Sequence, residues 1–178
     1  KVKIGSMDIT AHESLTWKYI LNQLISGQDL GSRHVDWAMD EIMTGSTPEP
    51  ILASFLTSLH MKGETSEELG ALARGMLAKA ETIDLDVHAV DIVGTGGDQQ
   101  NTVNISTMAA LVIAGTGATV VKHGNRASTS KSGSADVLEA LGIQLDMPIK
   151  SVAACARQGG ITFLFAMTFH PSMRFVGP

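Results

Sequence analysis

The sequence predicts a small N-terminal all-helical domain followed by part of a parallel α/β sheet domain. Apolar residues recur at helical spacing up to residue 80, whereas β-branched runs alternate with helical segments from residue 90 onward. The charge changes between the same regions: residues 1–86 carry 7 basic and 13 acidic side chains, net −6, and residues 87–178 carry 6 and 5, net +1. We therefore expect a helical domain at 8–86 and an α/β domain at 87–178.

Four amphipathic helices account for the first domain. Apolar stripes indicate helices over Trp17–Ile25 and Val35–Met43. The third helix is predicted to begin with Thr47 as N-cap and Pro48 as its first residue. The fourth is predicted to begin with a capping box at Thr65–Glu68. The positions expected to be buried by these last two helices are Ile51, Leu52, Phe55, Leu56, Leu59, Leu69, Leu72, Ala73, Met76, Leu77 and Ala80.

Strands and helices alternate in the second domain. Strands are expected at Val90–Val93, Ala118–Val121 and Ile161–Ala166, and helices at Ser106–Ala114, Ala135–Leu141 and Ile149–Gln158. This order predicts parallel strands, with ligands bound outside their carboxyl ends. The helix at 106–114 is expected to be buried, and Cys155 is expected to pack in the core.

Composition argues against several classes of protein. The 13 basic and 18 acidic residues give a net charge of −5, opposite to that of a general nucleic-acid binder. The longest apolar run, Met108–Ala114, is far shorter than the ~20 residues that span a bilayer. A single cysteine cannot build a disulfide framework, which favours the reducing cytoplasm. Residues 1–6, which end in Gly-Ser before Met7, are typical of a leader left by cloning.

Two polar segments follow the first two predicted strands. The glycine-rich loop Gly94–Asn104 leads into the helix at Ser106, so that backbone N–H groups and a helix N-terminus can face one anion. The segment Lys122–Ser134 offers three cations, one amide and five hydroxyls, a set that suits phosphate oxygens. Neighbouring parallel strands end at the same edge, so these segments predict an anion pocket with two walls.

Simpler interpretations of both segments stay open. A glycine-rich loop after a strand is often only a tight turn, and a Ser/Lys/Gly run is often a linker, although helix and strand patterns flank this run closely. The known glycine fingerprints do not match. The dinucleotide pattern needs glycine where the chain has Gln99, and the P-loop pattern needs a Gly-Lys pair that the first loop lacks.

Several motifs, in order along the chain, resemble one enzyme family. They are Val93–Asp98, Asn104–Thr107, Lys122–Arg126 and Gly133–Gly142, followed by Phe163–Ala166 and Phe169–Pro171. At this spacing they closely resemble the anthranilate phosphoribosyltransferases, and the resemblance covers almost the whole chain. It implies a fold like that of nucleoside phosphorylases and phosphoribosyltransferases. It also implies transfer of the phosphoribosyl group of phosphoribosyl pyrophosphate to anthranilate, with release of pyrophosphate, in tryptophan biosynthesis.

The resemblance also implies the ligands and the residues that bind them. The cofactor is Mg²⁺, with Ser106 as its hydroxyl ligand. The residues implied for anthranilate are Gly94, Asn125 and, as a weaker candidate, His170. A cytoplasmic homodimer formed through the helical domain is implied, with no nucleic-acid or membrane partner. The residues implied for phosphoribosyl pyrophosphate are Gly94, Gly97, Asp98, Thr102, Asn104, Ile105, Ser106, Thr107, Lys122, His123, Gly124, Asn125, Arg126, Ala127, Ser128, Thr129, Ser130 and Ser134.

These residues suit catalysis by positioning and charge stabilisation. Displacement at ribose C1 builds negative charge on the departing pyrophosphate, which N–H groups, lysine and Mg²⁺ stabilise. The anthranilate amine is already unprotonated at neutral pH and needs orientation more than a strong base, so we expect no covalent intermediate. No catalytic residue is assigned, although His123 is a candidate general base.

The chain departs from the family in its length. Family members run much longer, so we expect a truncated form whose α/β domain is incomplete at the C-terminus. The missing part would include an arginine for the anthranilate carboxylate and an Asp-Glu pair for Mg²⁺, so little transferase activity is expected of this chain alone. Two rival functions stay open: a pyrimidine nucleoside phosphorylase-like enzyme, and a non-catalytic module that binds a phosphoribosyl ligand.

Overall fold

A computed structural model describes residues 15–94, 103–127 and 133–176. The described residues divide into two compact units, one formed by 15–79 with 175–176 and the other by Ala80–Arg174. The expected domain limits, 8–86 and 87–178, stay a prediction. Within the described ranges, no helix has the length and apolar character needed to cross a bilayer.

Four helices form the first unit: α1 (Trp17–Ile25), α2 (Ser32–Met43), α3 (Glu49–Lys62) and α4 (Ser66–Ala78). Their apolar faces meet in one core that includes Ile20, Val35, Phe55 and Ala71. The helix α1 packs against α3, and α2 packs against α4. Gly27 and Gly45, which follow α1 and α2, adopt positive φ angles of 72° and 77° that favour glycine.

The start of α3 was predicted one residue too early. Pro48 is the N-cap in an extended conformation, and the helix begins at Glu49 with Pro50 as its second residue. Proline lacks the N–H group that the first turn leaves unpaired, so either position suits it. Leu56, predicted to be buried by α3, is 45% exposed.

The buried face of α4 also differs from the prediction. Leu69 and Leu77 are more than half exposed, whereas Glu68 and Ala71 are fully buried. The cause is a close approach between α4 and α2, because a Cβ at Gly75 would lie 2.6 Å from the Cβ of Met39. A larger residue at position 75 would meet Met39, and Leu69 and Leu77 lie on the exposed side of α4.

A buried ion pair joins the end of α3 to the start of α4. Lys62 Nζ lies 2.8 Å from Glu68 Oε2, and the side chains are 3% and 0% exposed. Glu68 also accepts backbone N–H bonds from Leu30 and Thr65, each at 2.8 Å. Burial opposes the charge on Glu68, but the bond from Lys62 and the backbone bonds outweigh burial and lower its pKa. The predicted capping box is confirmed, since Thr65 Oγ1 accepts from the Glu68 N–H.

The second unit contains a three-stranded parallel sheet in the order β1-β2-β3. Its strands are β1 (Ala89–Val90), β2 (Thr119–Gly124) and β3 (Ile161–Phe165). Its helices are α5 (Ile105–Gly115), α6 (Ser134–Ala140), α7 (Ile149–Gly159) and the short α8 (Ala166–Phe169), and a 3-10 helix follows at Pro171–Phe175. The helices α5 and α7 pack on β2, and α7 also packs on β3. The predicted fold class, a helical domain followed by part of a parallel α/β sheet, is confirmed.

Strand limits and helix burial differ from the sequence predictions in the second unit. Strand β1 ends at Val90, three residues before its predicted end, and β2 continues three residues past Val121 to Gly124. The helix α5, expected to be buried, buries Thr107 and Ala110, and its large apolar residues Ile105, Met108, Leu111 and Val112 are 44% to 69% exposed. Cys155 is exposed because the buried face of α7 runs through Val152, Ala153 and Ala156.

Candidate active site

Three chain segments leave the sheet at the same edge. Because β1, β2 and β3 are parallel, the residues after Val90, Gly124 and Phe165 emerge at their carboxyl ends. In a parallel sheet this edge is where ligands bind. The two polar segments singled out in the sequence therefore begin on adjacent strands, since β1 pairs directly with β2.

Lys122 is buried between the ends of β1 and β2. Only 1% of the residue is exposed. Its Nζ donates to the carbonyl of Ile92 at 2.7 Å and to that of His123 at 3.4 Å. Burial lowers the pKa of Lys122, and the nearby Asp91 opposes this effect only in part. A bound anion next to this ammonium would stabilise its positive charge, which burial disfavours.

His123, near the carboxyl end of β2, lies beside His170, which directly follows α8. Their ring centroids are 5.2 Å apart and the rings meet edge to face. Burial lowers the pKa of His123, and His170 and Lys122 add to this effect while Asp91 opposes it. The Nε2 of His123 is buried and makes no hydrogen bond to any described residue. His123 is therefore a neutral imidazole at pH 7, with a buried Nε2 that has no hydrogen-bond partner among the described residues.

Asp91 links the two strands beyond the point where β1 ends. Its Oδ1 accepts the backbone N–H of His123 at 3.1 Å. Together with the Lys122–Ile92 bond, this contact holds the chain after Val90 against β2. Side-chain hydrogen bonds therefore hold the two segments together beyond Val90, where the backbone pairing of β1 with β2 ends.

The N-terminus of α5 is capped by Asn104. Its Oδ1 accepts the Thr107 N–H at 3.1 Å and the Ser106 hydroxyl at 3.2 Å. The Thr107 hydroxyl is buried without a hydrogen bond to the described residues. Ile105, also implied in ligand binding, is 62% exposed. The helix dipole adds positive potential at this end.

Close packing joins the end of β2 to the start of α6. A Cβ at Gly124 would collide with Ser134 Oγ. The Asn125 carbonyl accepts the Ala135 N–H at 3.1 Å, and the Asn125 side chain accepts the Arg126 N–H at 2.8 Å. Asn125 is therefore held by backbone contacts on both sides.

One carboxylate ties together the two chain positions that flank residues 128–132. Asp136 Oδ2 accepts the Ala127 N–H at 2.9 Å and the Gly133 N–H at 2.6 Å. These backbone bonds lower the pKa of Asp136. A Cβ at Gly133 would lie 2.6 Å from the carbonyl carbon of Arg126. The backbone at residues 126 and 133 can therefore come this close only because residue 133 is glycine.

Arg126 points toward α6 and the end of β3. Its Nη2 lies 2.6 Å from Glu139 Oε1, and its guanidinium lies 4.8 Å from the ring centroid of Phe165. The bond to Glu139 raises the pKa of Arg126. Arg126 is thus paired within the second unit although its side chain is 47% exposed.

Not all implied site residues fall in the described ranges. Gly97, Asp98, Thr102, Ser128, Thr129 and Ser130 lie outside them. The structure brings Lys122–Ala127 and Ser134 together at the end of β2, and Gly94 lies four residues past the end of β1. Within the described ranges, no cluster of three or more His, Cys, Asp or Glu side chains could hold a metal ion.

Sequence reasoning did not assign Asp91, Asp136 or Glu139 to this region. Asp91 carried a usable signal, because an acidic residue directly after a short apolar strand lies at the ligand-binding edge. Asp136 carried another, since an acidic residue three positions after Gly133 can cap a helix start. The pairing of Glu139 with Arg126 depends on tertiary contact and left no local pattern.

Comparison with known proteins identifies the family. The α/β domain of the glycosyl transferase family matches residues 86–178, and its helical bundle domain matches residues 18–80. The chain belongs to the glycosyl transferase family. The similar proteins of known sequence are anthranilate phosphoribosyltransferases, which confirms the resemblance seen in the motifs.

The matched relatives align with residues in both units of this chain. The anthranilate phosphoribosyltransferase of Arthrobacter sp. (strain FB24) is 58% identical over 159 residues, which are 89% of this chain and 45% of that protein. That of Roseiflexus castenholzii is 53% identical over 156 residues, 88% of this chain and 46% of the relative. The chain thus spans about half the length of the curated relatives it matches.

Solved structures show the same fold. Anthranilate phosphoribosyltransferase from Thermus thermophilus matches with a TM-score of 0.81 and 41% identity, over 89% of this chain and 49% of that one. The Saccharomyces cerevisiae enzyme in complex with phosphoribosyl pyrophosphate and Mg matches with a TM-score of 0.82 and 32% identity, over 93% and 51%. A variant of the yeast enzyme in complex with 4-fluoroanthranilate matches with a TM-score of 0.73 and 27% identity, over 93% and 49%.

Proposed function

We propose that this chain forms the N-terminal half of an anthranilate phosphoribosyltransferase and contributes its phosphoribosyl pyrophosphate site. The observation that carries the proposal is the pairing of β1 with β2, which sets Lys122–Ala127 beside the chain that follows Val90. The buried ammonium of Lys122 lies between them. The complex of the yeast relative with phosphoribosyl pyrophosphate and Mg supports the assignment.

Lys122 and the N-terminus of α5 take the charge of the leaving group. The anthranilate nitrogen attacks ribose C1, a C–N bond forms, the C–O bond to pyrophosphate breaks, and the nitrogen releases one proton. Negative charge then grows on the pyrophosphate oxygens. A preorganised ammonium and helix N–H groups stabilise that charge without reorganising, which lowers the barrier.

His123 and His170 form the side of the site proposed for anthranilate. The depressed pKa of His123 keeps it neutral, so it offers a buried nitrogen without adding positive charge next to the developing sugar cation. Asn125, whose backbone is fixed by Ala135, lies at the end of the same strand. These groups orient the amine, and no covalent step on the protein is required.

Mg²⁺ is proposed to enter with the pyrophosphate rather than in a protein cage. When bound, it neutralises charge on the phosphate oxygens. Among the described residues the proposed ligand is the Ser106 hydroxyl, which donates its proton to Asn104 and keeps its oxygen lone pairs available. Mg²⁺ is usually held by one or two carboxylates together with substrate phosphates and waters, so the Ser106 hydroxyl would be one ligand among several.

The first unit is proposed to form a homodimer in the cytoplasm. Large apolar side chains are exposed on it, namely Ile25, Leu56, Met61, Leu69 and Leu77. Surface of this kind is common at subunit interfaces. Sedimentation of the chain at several concentrations tests the dimer, and a monomer at all concentrations would contradict it.

Calorimetry and turnover test the proposed function together. The chain is titrated with phosphoribosyl pyrophosphate and Mg²⁺, and anthranilate consumption is then followed with the chain alone and with the C-terminal half of a relative added. Saturable heat with restored turnover supports the proposal. Binding without turnover in the reassembled protein would favour a non-catalytic module, and phosphorolysis of uridine or thymidine would favour a nucleoside phosphorylase.

A further inference from the structure

The guanidinium of Arg126 is held on three sides within the second unit. Nη2 and Nε donate to the two carboxylate oxygens of Glu139 at 2.6 and 3.4 Å. The flat face lies over the Phe165 ring at 4.8 Å, and Nη1 donates to the Met167 sulfur at 3.7 Å. The side chain therefore connects the turn after β2 to α6 and to the end of β3.

This geometry commits one edge of the guanidinium to Glu139, although the side chain is 47% exposed. Arginine binds phosphate or carboxylate best through two parallel N–H bonds, and Glu139 already occupies one such edge. Taking up a phosphate there would break the pair with Glu139 and leave that carboxylate beside the ligand's negative charge. Asp136 adds a second negative charge close by.

We propose that Arg126 is a positioning residue that latches the turn after β2, and that it does not bind the phosphate itself. The latch fixes Asn125 and Ala127, whose backbone atoms bond to Ala135 and Asp136. Cationic contact with the ligand then comes from Lys122. This inference rests on the proposed function in so far as the turn borders the phosphoribosyl pyrophosphate site.

The variant Glu139→Gln distinguishes the two roles of Arg126, because they predict opposite changes in the affinity for phosphoribosyl pyrophosphate. If Arg126 bound phosphate, Glu139→Gln would free the guanidinium and leave binding unchanged or make it tighter. As a latch, the same change weakens binding of phosphoribosyl pyrophosphate with Mg²⁺ by about two- to fivefold, the range reached by exposed ion pairs. The matched control is Glu81→Gln, an exposed glutamate of the same unit, which leaves the dissociation constant unchanged.

Conservative and double variants sharpen the test. Arg126→Lys keeps the charge but loses the fork and the stacking on Phe165, so it weakens binding as much as Arg126→Met does. The double variant Arg126→Met/Glu139→Gln binds no worse than Arg126→Met, because both changes remove one contact. Full binding by Arg126→Lys would overturn the latch, as would tighter binding by Glu139→Gln.

Hydrogen exchange gives a readout that needs no ligand. The amides of Ala127 and Gly133 donate to Asp136, and that of Ala135 donates to Asn125. They exchange several-fold faster in Arg126→Met and Glu139→Gln, whereas the α1–α4 amides do not change. Unchanged exchange at these three amides would overturn the latch. If the unmodified chain takes up no phosphoribosyl pyrophosphate, the proposed function fails, and the exchange rates still decide whether the latch exists.

Discussion

Replacing Lys122 by methionine should weaken ligand binding strongly while changing stability little. The side chain is 1% exposed, and its Nζ donates to the Ile92 carbonyl at 2.7 Å. Methionine keeps much of the stem and removes the charge and the donors. The depressed pKa of Lys122 shows that its charge is costly in the free protein, because burial removes the ammonium from water.

The size of each effect follows from these contacts. The lost charged hydrogen bond to Ile92 destabilises by about 1.5–3 kcal/mol, whereas removing a buried charge returns a desolvation penalty of several kcal/mol. The two offset each other, so the free energy of unfolding falls by less than about 1 kcal/mol. A lost charged bond to a phosphate oxygen is worth the same about 1.5–3 kcal/mol, and raises the dissociation constant about 10- to 100-fold.

Two measurements and one control decide the outcome. Urea unfolding followed by circular dichroism gives the stability, and calorimetry with phosphoribosyl pyrophosphate and Mg²⁺ gives the dissociation constant. Lys150→Met, an exposed lysine on α7, is the matched control and leaves both unchanged. An unchanged dissociation constant in Lys122→Met, or a stability loss above about 3 kcal/mol, would refute the reasoning.

Three further predictions concern the packing and titration of single residues. Glu68→Gln lowers the unfolding free energy by about 1.5–3 kcal/mol, because Lys62 loses its buried charged partner but keeps Asp29 at 2.8 Å; urea unfolding followed by tryptophan fluorescence measures it. Gly124→Ala lowers it by at least about 1 kcal/mol by circular dichroism, and Ser134→Ala in the same chain restores part of the loss, because the added Cβ meets Ser134 Oγ. His123 titrates below its ordinary 6.5 by NMR, so its contribution to stability is present above pH 6.5 and is lost as the pH falls through the depressed pKa.

Each of these predictions has a control or a contradicting result. Glu67→Gln, an exposed neighbour of Glu68, changes stability by less than about 0.5 kcal/mol. Gly115→Ala is neutral or stabilising, since no atom of the described residues lies within 4 Å of the added Cβ. An equal loss in Gly115→Ala would show that the effect at Gly124 is not steric. Titration of His123 at or above 6.5 would contradict its buried setting.

Local patterns predicted most elements of the fold. The stripe over Trp17–Ile25 and the capping box at Thr65 gave α1 and the start of α4 with the limits observed. Burial was harder to predict, because Leu69 and Leu77 fit the apolar stripe as well as Ala71 does. The close approach at Gly75 decides between them, and that approach depends on α2, which is distant in sequence.

The candidate site, like the fold, could be predicted from local patterns only in part. Glycine and hydroxyl content predicted one anion pocket with walls after two strands, and the pairing of β1 with β2 makes those strands adjacent. The extension of β2 to Gly124 could not be predicted, because glycine and lysine are depleted in strands and tertiary pairing with β3 holds these residues. The partners of Arg126 come from α6 and β3, which are distant in sequence, so composition alone gave no sign of them.

Amide NMR of the chain during titration with phosphoribosyl pyrophosphate and Mg²⁺ tests the central claim most directly. We expect saturable shifts confined to the carboxyl end of the sheet, at Asp91–Gly94, Asn104–Thr107 and Lys122–Ala127. The helices α1–α4 are expected to show no shift. Absence of any shift at saturating ligand, or shifts centred on α1–α4, would contradict a phosphoribosyl pyrophosphate site at the ends of β1 and β2.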